Sequence, residues 1–160
     1  MRVVITGAGG FIGKKIAERL AGGARLKDRD GKDRSVSELV LFDVMPPAAP
    51  KGAKCTITSI GGDIGNPVTV GRVLGPAADS IFHLAAVVSA GAEEDFDLGM
   101  RVNLEGTRWI LEGCRTLAAP PKVVFASSVA VYGGDMPPVI TDATSLNPQT
   151  SYGSQKAMGE

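Results

Sequence analysis

Residues 2–13 read RVVITGAGGFIG, a β-branched run that breaks into glycines. The run has the continuous apolar character of a strand buried on both faces of a parallel sheet. Gly7, Gly10 and Gly13 follow in a G-x-x-G-x-x-G pattern, and each has a physical use. The first glycine permits a tight turn, the second lets backbone approach a pyrophosphate, and the third lets the next helix pack against the strand. That helix is expected over Phe11–Ala21, where Phe11, Ile16, Ala17 and Leu20 form an apolar stripe and Gly22 and Gly23 close it. Its N-terminus, with Phe11 and Ile12 as candidate cofactor contacts, offers free N–H groups and a positive dipole end to phosphate.

Outward from this turn, strands and helices alternate. Residues 24–37 are charged, lack apolar periodicity and centre on Asp30 and Gly31, which suggests an exposed excursion or small hairpin. Residues 38–42 (ELVLF) form a second strand ending at Asp43, and residues 55–59 (CTITS) a third, leading to GGDI. A helix over residues 66–74 has Asn66 as N-cap and Pro67 at its first position. Residues 79–84 (DSIFHL) are a fourth strand, residues 92–117 contain a long helix, and residues 122–127 (KVVFAS) are a fifth strand. A last helix starts near Thr150. Crossovers of this length pair strands in parallel, so the fold class is α/β, a Rossmann-type doubly wound sheet.

At 160 residues the chain fits one domain, and 44% hydrophobic with 21% charged residues is the composition of a globular protein. Seventeen basic side chains balance seventeen acidic ones, so no broad attraction to nucleic acid or an anionic membrane is expected. No apolar run reaches the roughly 20 residues that span a bilayer, and the first residues run straight into a strand without the long apolar core expected of a signal peptide. The expected location is the cytoplasm. Cys55 and Cys114 lie too far apart in sequence for a metal-binding spacing and are expected to be reduced, so no metal is expected.

Asp43 ends the second strand, where a carboxylate can accept both ribose hydroxyls of an adenosine. It lies thirty residues after Gly13, a long spacing that the charged excursion explains. No arginine stands beside it, and a carboxylate would repel a 2′-phosphate, so NAD is preferred to NADP. Asp63 and Ile64 in GGDI could offer a polar acceptor and an apolar wall near an adenine; equally, Asp63 could cap a turn. Leu84, Ala85 and Ala86 end the fourth strand with side chains small enough, at the alanines, for a cofactor to lie against backbone. His83 reads as a partly buried structural histidine.

The reactive candidates come late. Ser127 and Ser128 leave the fifth strand at the carboxyl edge of the sheet, where α/β ligand sites form. Tyr152 and Lys156, at i and i+4, share a helix face. A free tyrosine has a pKa of about 10, and a nearby ammonium favours the phenolate. Such a phenolate can take a proton from a substrate hydroxyl while hydride leaves for a nicotinamide, and Ser128 can stabilise the same oxygen. Alone, Tyr-x-x-x-Lys describes many solvated helix faces; its value lies in following the glycine turn, the strand-end Asp and the strand-end serines.

TGAGGFIG, FHLAA, NLEGT, SSVAVYG and YGSQK, in this order, resemble the extended short-chain dehydrogenase/reductase family, which includes nucleotide-sugar epimerases and dehydratases. The resemblance covers the whole chain. It implies a catalytic triad of Ser128, Tyr152 and Lys156, with Tyr152 and Lys156 also meeting the cofactor. It implies a supporting role for Asn103, for which a buried structural amide is an equal reading. RLKDRDGKDRSVSELVLFDV, HLAAVVSAGAEEDFDLGMRVNLEGTR and SLNPQTSYGSQKAMGE are similar to the branch that oxidises D-erythronate, a four-carbon sugar acid, with NAD. On that resemblance Ser89, Ser127, Ser128 and Tyr152 face a small-molecule substrate, and the protein forms a homodimer. Nucleotide-sugar epimerisation and a non-catalytic NAD-binding module are the alternatives. The family's C-terminal substrate region is expected to lie outside these 160 residues.

Overall fold

A computed structural model describes residues 1–160. Its main sheet has five parallel strands: β1 (Arg2–Thr6), β4 (Glu38–Asp43), β5 (Thr56–Gly61), β6 (Ser80–His83) and β7 (Lys122–Phe125). They lie in the order β5-β4-β1-β6-β7. β1 is the central strand: Val3, Val4 and Ile5 are fully buried, flanked by Leu39, Val40, Leu41 and Phe42 of β4 and by Ile81 of β6. Helix α1 (Phe11–Ala21) covers β1 with Ala17, Leu20 and Ala21.

The expected strands, α1 and the Asn66-capped helix α2 (Pro67–Leu74) are all present. Residues 24–37 form the small hairpin, with β2 (Arg25–Lys27) antiparallel to β3 (Asp33–Ser35). The Asp28 side chain organises its turn by accepting from the Asp30 and Lys32 N–H groups at 3.0 and 2.9 Å, and Gly31 takes the positive φ of 77°.

Two expectations need correction. The fifth strand ends at Phe125, so Ser127 and Ser128 belong to the irregular chain beyond it. The long helix is also interrupted. A separate turn α3 (Ser89–Glu94) stops at extended Asp95, whose side chain caps α4 (Phe96–Gly99) through the Leu98 N–H. A π-helical turn (Met100–Glu105) then leads into α5 (Gly106–Thr116). One wide turn of this kind shifts the facing of the residues after it, and such turns often accompany functional sites. The expected last helix is α6 (Ser151–Gly159), N-capped by Thr150.

The chain divides into two compact units. The first is Met1–Ala85 with Trp109–Ala126, and holds the sheet; the second is Ala86–Arg108 with Ser127–Glu160. No helix is long and apolar enough to cross a membrane.

Candidate functional site

In the first unit the strand order reverses at β1, so its carboxyl end and that of β6 border the crevice where doubly wound sheets hold ligands. Gly7 lies there at φ 70°, and a Cβ on it would sit 2.7 Å from the Ala85 nitrogen and 2.8 Å from the Leu84 carbonyl carbon. A Cβ on Gly13 would overlap the Gly7 carbonyl oxygen and stand 2.7 Å from Ala8 Cα, so the helix can approach the turn only without one. Gly10 is the N-cap of α1 and supplies no side-chain acceptor, leaving first-turn N–H groups available. Phe11 and Ile12 follow, both exposed.

Asp43 is tied to this turn. Its Oδ2 accepts from the Gly9 N–H at 2.8 Å and its Oδ1 from the Val44 N–H at 2.8 Å. Gly9 escaped the sequence reading because the glycine spacing does not require it. Its importance is the approach of the carboxylate, since a Cβ on Gly9 would stand 3.0 Å from Asp43 Oδ2. Asp63 caps a turn, accepting from the Gly65 N–H at 2.9 Å, and Ile64 is buried.

Thr6 was also missed. Its buried hydroxyl oxygen accepts from the N–H groups of Leu84 and Ala85 at 3.2 and 3.3 Å. The same hydroxyl lies 2.7 Å from His83 Nδ1. His83 is fully rather than partly buried, and structural.

In the second unit α6 carries Tyr152 and Lys156. Tyr152 is half-buried, whereas Lys156 is 2% exposed, and burial lowers its pKa from the ordinary 10.5 to about 8. At neutral pH it is therefore still mostly an ammonium. Gly153, between them, would place a Cβ onto the Ala130 carbonyl oxygen; glycine thus lets α6 close on the 3₁₀ turn Val129–Val131. Ser128 caps that turn, its Oγ accepting from the Ala130 N–H at 3.2 Å. An accepting hydroxyl keeps its proton for another oxygen. The Ser127 hydroxyl, by contrast, donates to the Glu160 carboxylate. Ser89 begins α3 and is exposed; Ala86 is half-buried.

Asn103 lies buried in the π-helical turn. Its Oδ1 accepts from the Val87 N–H at 2.8 Å, and its Nδ2 donates to the Val87 carbonyl at 3.0 Å and to Gln155 Oε1 at 2.8 Å. Both amide orientations follow from the Val87 backbone. Gln155, fully buried beside Lys156 in the chain, is left with an unpartnered Nε2.

Comparison with known proteins fits this geometry. A model of the NAD dependent epimerase/dehydratase family matches residues 3–160. The chain belongs to that family. It is 48% identical over 160 residues to D-erythronate dehydrogenase of Cupriavidus necator, all of this chain matching 48% of that protein. A crystal structure of a nucleoside-diphosphate-sugar epimerase from Agrobacterium tumefaciens superposes with TM-score 0.88 and 39% identity, covering 99% of this chain and 46% of that one. MoeE5 in complex with UDP-glucose and NAD follows at TM-score 0.78 and 26% identity, with 99% and 46% covered. The chain thus spans about half the length of the relatives it matches. NAD is the family's cofactor, and the first unit fits it: the uncapped α1 N-terminus offers donors to phosphates, and the Gly9-bound Asp43 carboxylate retains lone pairs for ribose hydroxyls.

Proposed function

We propose that this chain supplies the NAD cradle and the reacting side chains of an enzyme that oxidises a hydroxyl of a small sugar acid of the D-erythronate type. The burial of Lys156 one helical turn after Tyr152 carries the chemical part of this reading. The 48% identity to D-erythronate dehydrogenase supports the substrate class.

In the reaction, Tyr152 takes the hydroxyl proton of the substrate as general base, with the buried Lys156 one helical turn away. Ser128, whose hydroxyl proton is not used in capping its turn, donates to the same substrate oxygen. A bound NAD would supply the hydride acceptor, so that loss of the proton to Tyr152 and of hydride from the carbinol carbon would leave a carbonyl. Gly7, Gly10 and Gly13, with Phe11 and Ile12, hold its diphosphate end. Asp43 selects NAD over NADP by binding the ribose hydroxyls and repelling a 2′-phosphate. Leu84, Ala85, Ala86, Asp63 and Ile64 would be further residues lining the bound cofactor. Ser89 and Ser127 extend the substrate contacts, and the protein works as a homodimer.

A second reading, nucleotide-sugar epimerisation with the same Tyr152, is supported by the likeness to the nucleoside-diphosphate-sugar epimerase of Agrobacterium tumefaciens. The deciding experiment is NAD reduction by the full-length protein with D-erythronate and, separately, with UDP-glucose. Reduction with D-erythronate alone supports the first reading. Interconversion of the UDP-sugar without net NADH supports the second, and NAD binding without turnover of either refutes both.

A further inference from the structure

An α-helix leaves its first N–H groups without partners inside the helix. In α6, the Thr150 hydroxyl accepts from the Gly153 N–H at 3.0 Å. The Tyr152 N–H finds its acceptor much earlier in the chain: Glu93 Oε1, at 3.1 Å. The same oxygen lies 2.7 Å from Ser151 Oγ, which shares its proton with the Ala92 carbonyl at 3.1 Å. Three contacts therefore join the first two residues of α6 to the end of α3, all within the second unit.

This tie adds a second acceptor, beside the Thr150 cap, at the first turn of α6. Its sequence, SYGSQKAMG, includes glycine at positions 153 and 159, and glycine costs a helix about 1 kcal/mol relative to alanine. Gly153 has no substitute, because the Ala130 carbonyl occupies its Cβ position. A carboxylate beside the first turn also meets the positive end of the helix dipole. The nearby Asp95 does not play this part, because its side chain caps α4. The Ser151 hydroxyl first, then the Tyr152 amide, hold the Glu93 carboxyl below the usual carboxylate range, so it is an anion at neutral pH.

We propose that Glu93 is a positioning residue for Tyr152, its carboxylate seating the first turn of α6 on α3 so that the phenol is presented in its reacting orientation. This rests on the reaction proposed above. Nothing in the composition of the SAGAEEDFD stretch distinguishes Glu93 from Glu94; only the fold does.

The test uses the full-length protein with NAD and D-erythronate, comparing wild type, Glu93→Ala and Glu93→Gln. Glutamine keeps an acceptor for the Tyr152 amide, whereas alanine removes it. A misplacement of about 1 Å can cost on the order of 100-fold in rate, so Glu93→Ala is expected to lose about ten- to a hundredfold in kcat, with the Kd for NAD within about twofold of wild type. Glu93→Gln should recover kcat to within about threefold of wild type. Exchange of the Tyr152 amide, followed by NMR, should accelerate in Glu93→Ala and not in Glu93→Gln. If Glu93→Ala does not fold, Ser151→Ala, which removes two of the three contacts, takes its place with a smaller loss of kcat. An active wild type with equally active Glu93→Ala refutes the role of Glu93. A lower melting temperature with unchanged kcat in the folded enzyme refutes it too, because it shows support of the fold alone. A wild type that reduces no NAD refutes the underlying reaction instead.

Discussion

Replacing Gly7 with alanine, beside the same change at Gly31, separates backbone strain from steric overlap at the cofactor turn. Both glycines have positive φ, 70° and 77°. Alanine in that region costs about 1–2 kcal/mol, and the stiffer unfolded chain returns about 0.4–1 kcal/mol. At Gly31 no atom lies within 4 Å of an added Cβ, so strain is the whole cost, about 1 kcal/mol net. At Gly7 the Cβ would also lie 2.7 Å from the Ala85 nitrogen, 2.8 Å from the Leu84 carbonyl carbon and 2.9 Å from its oxygen. That backbone is held by Thr6 Oγ1 and cannot retreat freely. Overpacking of this kind adds about 1–3 kcal/mol, giving a total of about 2–4 kcal/mol. With about 2–4 °C of melting temperature per kcal/mol for a unit of about 150–250 residues, Gly31→Ala should lose about 2–4 °C and Gly7→Ala about 5–15 °C. Calorimetry of the two variants reads the difference. Equal losses would refute the close approach of Gly7 to the end of β6.

Two further outcomes follow from buried groups. Lys156 has a folded pKa of about 8 against an ordinary 10.5. The unfolded chain therefore binds more protons across that window, and this group makes stability rise as pH increases through it. Lys156→Met should be the more stable form near pH 7, with its advantage shrinking toward pH 10.5; a gap in urea midpoint independent of pH would contradict the burial of the ammonium. Asn103→Leu removes the acceptor of the Val87 N–H and the donor to Gln155 Oε1. Orphaned buried groups cost about 1–3 kcal/mol each, so urea unfolding should show a loss of about 2–6 kcal/mol, and a loss under about 1 kcal/mol would contradict the network.

Local chemistry explains what could be read in the sequence. Arg2–Thr6 announces a central strand because four of its five residues are apolar or β-branched and glycines bound it. Asn66 and Pro67 mark the start of α2 by their own side chains, and Asp30 and Gly31 mark the hairpin. The chemical candidates Asp43, Ser128, Tyr152 and Lys156 stand out because their residue types and order are informative in one dimension. What escaped depends on partners distant in sequence. Gly9 matters because Asp43 folds against it, and Glu93 because α6 lands on α3. The π-helical turn escaped for a related reason: residues 96–116 have helical periodicity throughout. Asn103 in that wider turn bonds to Val87 and Gln155, and no local pattern encodes those partners. Ser127 and Ser128 looked equivalent until the fold gave one proton to Glu160 and left the other available.

The central claim is that Tyr152 is the base of an NAD-linked oxidation. Its most direct test is Tyr152→Phe in the full-length protein, with NAD binding and NADH formation from D-erythronate measured on the same preparation. Tyr152→Phe keeps the ring and removes only the hydroxyl. The expected result is NAD affinity within a few-fold of wild type and a loss of kcat of at least about 100-fold, the scale of a positioned general base. Turnover unchanged by the substitution would contradict the claim.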